Sequence, residues 1–125
     1  MNMEKVEGFG GFFFRADDPE GLAQWYLQHL GINPVPSSVE AEAWEQKAGP
    51  TVFAPFAKAT DYFGDDEKQF MLNFRVSNLD KIVQQLKTAG IEVQPITEEA
   101  QIGRFARLQD PEGNPIELWE PAQAA

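Results

Sequence analysis

The 125-residue chain carries 20 acidic against 10 basic residues, a net charge of -10, with 42% hydrophobic and 24% charged residues. That length supports one domain, and the composition argues against wholesale disorder. With no cysteine and one histidine, disulfides, zinc–thiolate sites, iron–sulfur clusters, thiol nucleophiles and multi-histidine metal sites are excluded within one chain. The basic residues are scattered through an acidic chain, which speaks against nucleic acid and anionic membranes as partners. The longest apolar stretch falls well short of a ~20-residue membrane span. Met1 to Glu7 lacks the basic-then-apolar order of a signal peptide. The expectation is a soluble cytoplasmic protein.

In chain order, Gly8 to Ala16 holds Phe9, Phe12, Phe13 and Phe14. Such aromatic enrichment predicts a buried strand. Asp17-Asp18-Pro19 predicts a helix start, with Asp18 as cap and Pro19 at the first helical position. Apolar residues at 22, 25, 26 and 30 keep helical spacing, and Gly31 closes the helix. Ile32 to Pro36, Glu40 to Lys47 and Thr51 to Pro55 read as short extended segments. Ala57 to Lys68, with Asp65-Asp66-Glu67, reads as a polar linker. Phe70 to Ser77 predicts a strand. Asn78 caps a second helix with apolar positions 79, 82, 83, 86 and 89, ended by Gly90. Glu92 to Ile96, Arg104 to Gln109 and Pro115 to Glu120 read as strands. The last two are joined by a turn at Asp110-Pro-Glu-Gly-Asn114. Pro121 to Ala125 reads as a loose tail.

The two halves repeat. Phe14-Arg15 aligns with Phe74-Arg75, Asp18 with Asn78, Leu22 with Ile82 and Gln24 with Gln84; Gly31-Ile32 aligns with Gly90-Ile91 after a one-residue gap. The pattern is βαβββ twice in an α+β domain. Module one spans about 8–56, the linker about 57–68 and module two about 69–121.

Asp18-Pro19 with Trp25-Tyr26 and Leu30-Gly31, then Phe70 to Val76, Gly90-Ile91 and above all Asp110-Pro-Glu-Gly-Asn-Pro-Ile-Glu-Leu118, resemble the glyoxalase/bleomycin-resistance/extradiol-dioxygenase (vicinal oxygen chelate) superfamily. The resemblance runs from Gly10 to Pro121. It implies a curled mixed sheet, or cup, with helices on its outer face. In metal-dependent members four residues from the first and last strands of each module meet a divalent cation in the cup. Carried over singly, those positions hold Gly11, Val52, Met71 and Glu117. One carboxylate does not replace such a coordination shell. The expectation is a chain without a metal site or cofactor. The sole histidine, His29, reads as a helix residue.

Strand alternation assigns the inward face. It places Phe13, Arg15, Met71, Asn73, Arg75, Glu117 and Trp119 in the cup, joined by Trp44, Phe105 and Arg107. Phe12, Phe14, Leu72, Phe74, Ile116 and Leu118 then face the helices. Such a pocket is mostly apolar with a few polar groups, as ligand sites are; the same aromatic stripes also suit core or a dimer interface. Glu117 reads either as the partner of Arg15, Arg75 or Arg107, or as hydrogen-bond acceptor, ligand anchor or general base. Arg104 reads as a brace for the hairpin or as an anion contact. The first functional expectation is a metal-independent small-molecule binding protein with an aromatic, acidic pocket. The alternative is a lyase or isomerase acting on a small carbonyl compound, with Glu117 as base and an arginine for the oxyanion. A third is an interaction module with a vestigial pocket. Family members commonly close the cup by pairing, so a homodimer is expected.

Overall fold

Asp18 starts the first helix: its carboxylate accepts the Gly21 N–H at 3.1 Å, and Pro19 occupies the first turn. Helix α1 runs Pro19–Leu30 and ends at Gly31, whose φ of 71° suits a residue without a Cβ. Helix α2, Leu79–Thr88, begins at Asn78, whose side chain accepts the Lys81 N–H at 3.0 Å. Glu120 adds a second anchor by accepting the Leu79 N–H at 2.8 Å. The computed structural model describes residues 3–35 and 42–123.

Four strands form one open mixed sheet: β1 (Leu72–Arg75), β2 (Thr97–Glu99), β3 (Gly103–Gln109) and β4 (Pro115–Pro121), in the order β1-β4-β3-β2. β1 runs parallel to β4; β2–β3 and β3–β4 are antiparallel. Both helices pack on one face of this sheet. There Leu22 and Tyr26 of α1 and Leu79, Val83 and Leu86 of α2 bury Ala106, Leu108, Ile116 and Leu118. Leu72 and Phe74 pack against the same cluster. The side chains that alternate with these, Asn73, Phe105, Arg107, Glu117 and Trp119, therefore belong to the opposite face.

The turn Asp110–Asn114 ties the hairpin to α1. Asp110 is 4% exposed. Its carboxylate accepts the N–H groups of Glu112 and Asn114, the Asn114 side-chain amide at 2.7 Å and the Tyr26 hydroxyl at 2.6 Å. Glu112 reaches back to accept the N–H groups of Asp17 and Asp18. Arg104 braces the other end of β3 with two hydrogen bonds to Asp80, which hold the Asp80 carboxyl below its ordinary range.

The first half differs from the expected module. Gly8 to Ala16 and Thr51 to Pro55 are extended but join no strand ladder, so tandem βαβββ pairing is not seen among the described residues. The expected segments at 32–36 and 40–47 lie partly outside them, and their described parts are likewise unpaired. A strand exists only where a neighbour completes its hydrogen bonds, and among the described residues β1 pairs with β4 alone. Phe12 and Phe14 meet Phe70 edge-on but are exposed and do not join the core beneath the helices, contrary to the expected buried strand; Phe13 between them is 91% exposed, so alternation survives only locally. In the second half, the strand expected at Glu92–Ile96 is displaced to Thr97–Glu99. Pro95 lacks the N–H a ladder needs, although Gln94 still donates to the Arg107 carbonyl.

Burial, the Asp110 hydrogen bond and the Asp110 charge all push the Tyr26 phenol above its ordinary value near 10. In the unfolded chain it ionises near 10, so its stabilisation is complete below that pH and is lost as pH rises above it. Tyr26→Phe is expected to cost roughly 1.5–3 kcal/mol near neutrality, the range for a hydrogen bond to a charged group. Denaturant melts at several pH values should show the gap to wild type shrinking above about pH 10.

Candidate functional site

Glu117 sits mid-strand on β4, between the core residues Ile116 and Leu118, with its side chain on the helix-free face and only 6% exposed. A carboxylate there needs partners, and the sheet register supplies them. Asn73 on β1 and Arg107 on β3 are its direct neighbours across the two ladders. The Asn73 amide donates to Oε1 at 2.8 Å, and Arg107 Nε lies 3.5 Å from Oε2. The Tyr62 hydroxyl, from the segment between the halves, donates to Oε2 at 2.8 Å. The Arg107 guanidinium carbon stands 3.8 Å from the centre of the Tyr62 ring, a close cation–π contact. Arg107 also reaches the Met71 sulfur at 4.0 Å. Burial, then the hydrogen bond to Glu117, push the Tyr62 phenol above its ordinary value; Arg107 pulls the other way without reversing the shift.

Beside this cluster lies a recess of about 420 Å³, lined by Tyr62, Gln94, Pro95, Thr97, Glu98, Glu99, Phe105, Arg107 and Glu117. Three carboxylates against one guanidinium make it net acidic. Phe105 and Trp119 stack across the β3–β4 ladder, nearly parallel, with centroids 6.3 Å apart.

Of the ten residues expected in the pocket, Met71, Asn73, Arg107 and Glu117 come together, with Phe105 on the recess wall. Trp119 shares the face but is buried, its indole N–H donating to the Ile102 carbonyl at 3.0 Å, so its polar end is already used. Four expectations do not hold. Phe13 points away from the fold because its segment joins no sheet. Arg15 is exposed on the same segment. Trp44 packs edge-on against Phe74, a helix-side residue. Arg75 turns outward to the Lys47 carbonyl at 3.0 Å. Of the three arginines considered for Glu117, Arg107 alone reaches it. Tyr62 was missed, since it stands in what reads as a polar linker; its signal is the pair Tyr62-Phe63 inside an acidic stretch. Thr97, Glu98 and Glu99 were missed because the strand carrying them is displaced, and Gln94 stands in the expected segment that precedes it.

The donor set does not fit a divalent metal. Of the four inherited positions, Gly11 and Val52 offer no ligand atom and the Met71 sulfur faces Arg107. Glu117 is already matched by a guanidinium, whose positive charge opposes a cation at the same oxygen.

Residues 11–119 match the family model of the glyoxalase-like domain. The chain belongs to that family. It is similar to the uncharacterized protein YwkD of Bacillus subtilis (strain 168), 46% identical over 50 residues, which is 39% of this chain and 39% of that protein. In fold, this glyoxalase-like chain is similar to TnmS3, an antibiotic binding protein from Streptomyces sp. CB03234, with TM-score 0.66 and 19% identity over 96% of this chain and 100% of that one. It is likewise similar to a lactoylglutathione lyase from Agrobacterium tumefaciens, with TM-score 0.61 and 15% identity over 94% and 96% of the two chains. At such identities the likeness concerns the fold, which serves both binding and enzymatic proteins. No helix among the described residues is long and apolar enough to cross a membrane.

Ultraviolet titration of the two tyrosines should show both ionising above the ordinary value near 10. In Glu117→Gln the Tyr62 phenol should move back toward that value, because the carboxylate that retains its proton is gone.

Proposed function

We propose that this glyoxalase-like chain is a metal-independent small-molecule binding protein that takes an aromatic ligand in the acidic recess beside Glu117. The observation that carries this reading is the buried Glu117 carboxylate, held by Asn73, Tyr62 and Arg107 at the wall of a recess of about 420 Å³. A carboxylate has about four acceptor sites, so Glu117 retains capacity for a ligand donor. Phe105 offers apolar wall, and the negative balance of Glu98, Glu99 and Glu117 favours neutral or cationic ligands over anions. The fold shared with TnmS3, described as an antibiotic binding protein, supports a binding role. The alternative, a lyase or isomerase acting on a small carbonyl compound with Glu117 as base, has less support. Both Glu117 oxygens already accept hydrogen bonds, which leaves them engaged rather than turned toward a substrate C–H bond.

Native mass spectrometry of protein purified from its source is expected to show an organic mass rather than a stoichiometric divalent ion. Glu117→Gln should weaken binding of that compound by roughly 1.5–3 kcal/mol, the range for a hydrogen bond to a charged group. The melting temperature should change little, because the glutamine oxygen still accepts from Asn73, its amide N–H can donate to the Tyr62 hydroxyl oxygen, and Arg107 is partly exposed. A large drop in melting temperature with unchanged affinity would make Glu117 a structural residue only.

We also propose a cytoplasmic homodimer. Phe9, Phe13, Val52 and Phe53 are exposed in the first half, and β1 has no neighbour on its outer side among the described residues. An apolar patch beside an open strand edge is satisfied by a second copy. Light scattering at micromolar concentration should give the dimer mass, and Phe13→Ser with Phe53→Ser should give the monomer.

A further inference from the structure

Tyr62 is a side chain of the chain itself, yet it makes the contacts a ligand would make. Its ring lies on the Arg107 guanidinium and its hydroxyl donates to Glu117. Phe56 packs against the same ring at a tilt, with ring centres 5.3 Å apart. The backbone around it is held only by short-range turns: Thr60 to Ala57, Gly64 to Asp61, and the Tyr62 N–H to the Thr60 hydroxyl. Among the described residues, no other hydrogen bond from 57–64 reaches outside that segment. Tyr62 itself is 40% exposed, so the ring stands at the mouth of the recess rather than in the core.

We propose that Tyr62 is a placeholder, and that the site takes a neutral planar aromatic molecule bearing a hydroxyl donor, which displaces the Tyr62 ring from Arg107 and Glu117. This deepens, and rests on, the reading of the recess as an aromatic binding site. The exchange is balanced in its polar contacts: one phenol-type O–H leaves the Glu117 oxygen and another replaces it, while Arg107 keeps a ring face. The gain comes from the apolar area the incoming ring covers in the recess. An analogue without the hydroxyl strips the buried carboxylate of a donor and replaces it with nothing, and sites built around a hydroxyl reject such analogues strongly. An anionic ligand is opposed by Glu98 and Glu99 on the same wall. The cost of displacement is small, because the 57–64 segment is held to the sheet by this one hydrogen bond and by ring contacts.

The test uses the full chain with 2-naphthol and 2-methoxynaphthalene as probes, titrated by calorimetry into wild type and Tyr62→Ala. Tyrosine-ring labelling gives two signals, one each for Tyr26 and Tyr62. Buried Tyr26 then serves as the internal control for folding. Wild type should bind 2-naphthol in preference to the methyl ether. At saturation the Tyr62 signal should move toward that of a solvent-exposed tyrosine, with Tyr26 unmoved. Tyr62→Ala should bind 2-naphthol on the order of tenfold more tightly, the factor recovered when a competent state populated to about 10% becomes dominant. If the Tyr26 signal shows that the alanine variant is misfolded, Tyr62→Phe, which loses the hydroxyl alone, should tighten binding in the same direction. Binding of both probes with no tightening in either variant overturns the placeholder and leaves the aromatic recess standing. Binding of neither probe to any variant overturns the recess reading as well.

Discussion

Asp110 carries a negative charge into the interior, and four donors converge on it: the Tyr26 hydroxyl, the N–H groups of Glu112 and Asn114, and the Asn114 amide. A buried carboxylate without such a set costs several kcal/mol, so the turn has one conformation that is tolerable and many that are not. Fixing the turn fixes the register of β3 on β4, from Gln109 opposite Pro115 to Gly103 opposite Pro121. That register sets Arg107 opposite Glu117. A slip by one residue turns Glu117 into the helix-side core and brings Ile116 and Leu118 out. The site's central ion pair thus depends on the polar cluster at the turn of the hairpin, two ladder steps away.

β4 serves two faces at once. Ile116 and Leu118 are fully buried against both helices, and Glu117 between them belongs to the other side. A central strand offers a carboxylate little water, so its neighbours on both adjacent strands are polar: Asn73 on β1 and Arg107 on β3. Arg107 stays partly exposed and lies against the Tyr62 ring, so the pair is open to solvent on its Tyr62 side. The pair is thus closed beneath by packing and open above through the Tyr62 side chain, the arrangement on which the proposed ligand-binding role of Glu117 rests.

Both helices and the closing hairpin were legible from the residues. Capping by Asp18 and Asn78, the stop at Gly31 and the turn at Asp110–Asn114 are local events, decided by side chains within a few residues of the backbone groups they satisfy. The period-two alternation of β3 and β4 likewise placed Arg107 and Glu117 on one face, since side-chain direction along a strand is a property of the strand itself. The tandem repeat was legible as a pattern, but a pattern does not supply partners. The phenylalanine-rich segment at Gly8–Ala16 has strand composition and strand alternation, but among the described residues no neighbour pairs with it to make it a strand.

What the tertiary structure alone decided were the meetings between distant parts of the chain. Arg107, rather than Arg15 or Arg75, pairs with Glu117 because ladder register selects one of three otherwise equivalent guanidinium groups. Trp119 spends its indole N–H on Ile102, and Trp44 goes to Phe74, because aromatic side chains go wherever shape and a partner permit, which composition does not reveal. Tyr62 lies 55 residues from Glu117 in a stretch whose charge reads as solvated surface. The pair Tyr62-Phe63 marks the position but does not name its partner, because a hydrogen bond between remote segments is fixed by how the whole chain packs, whereas caps, turns and alternation are fixed within a few residues of themselves.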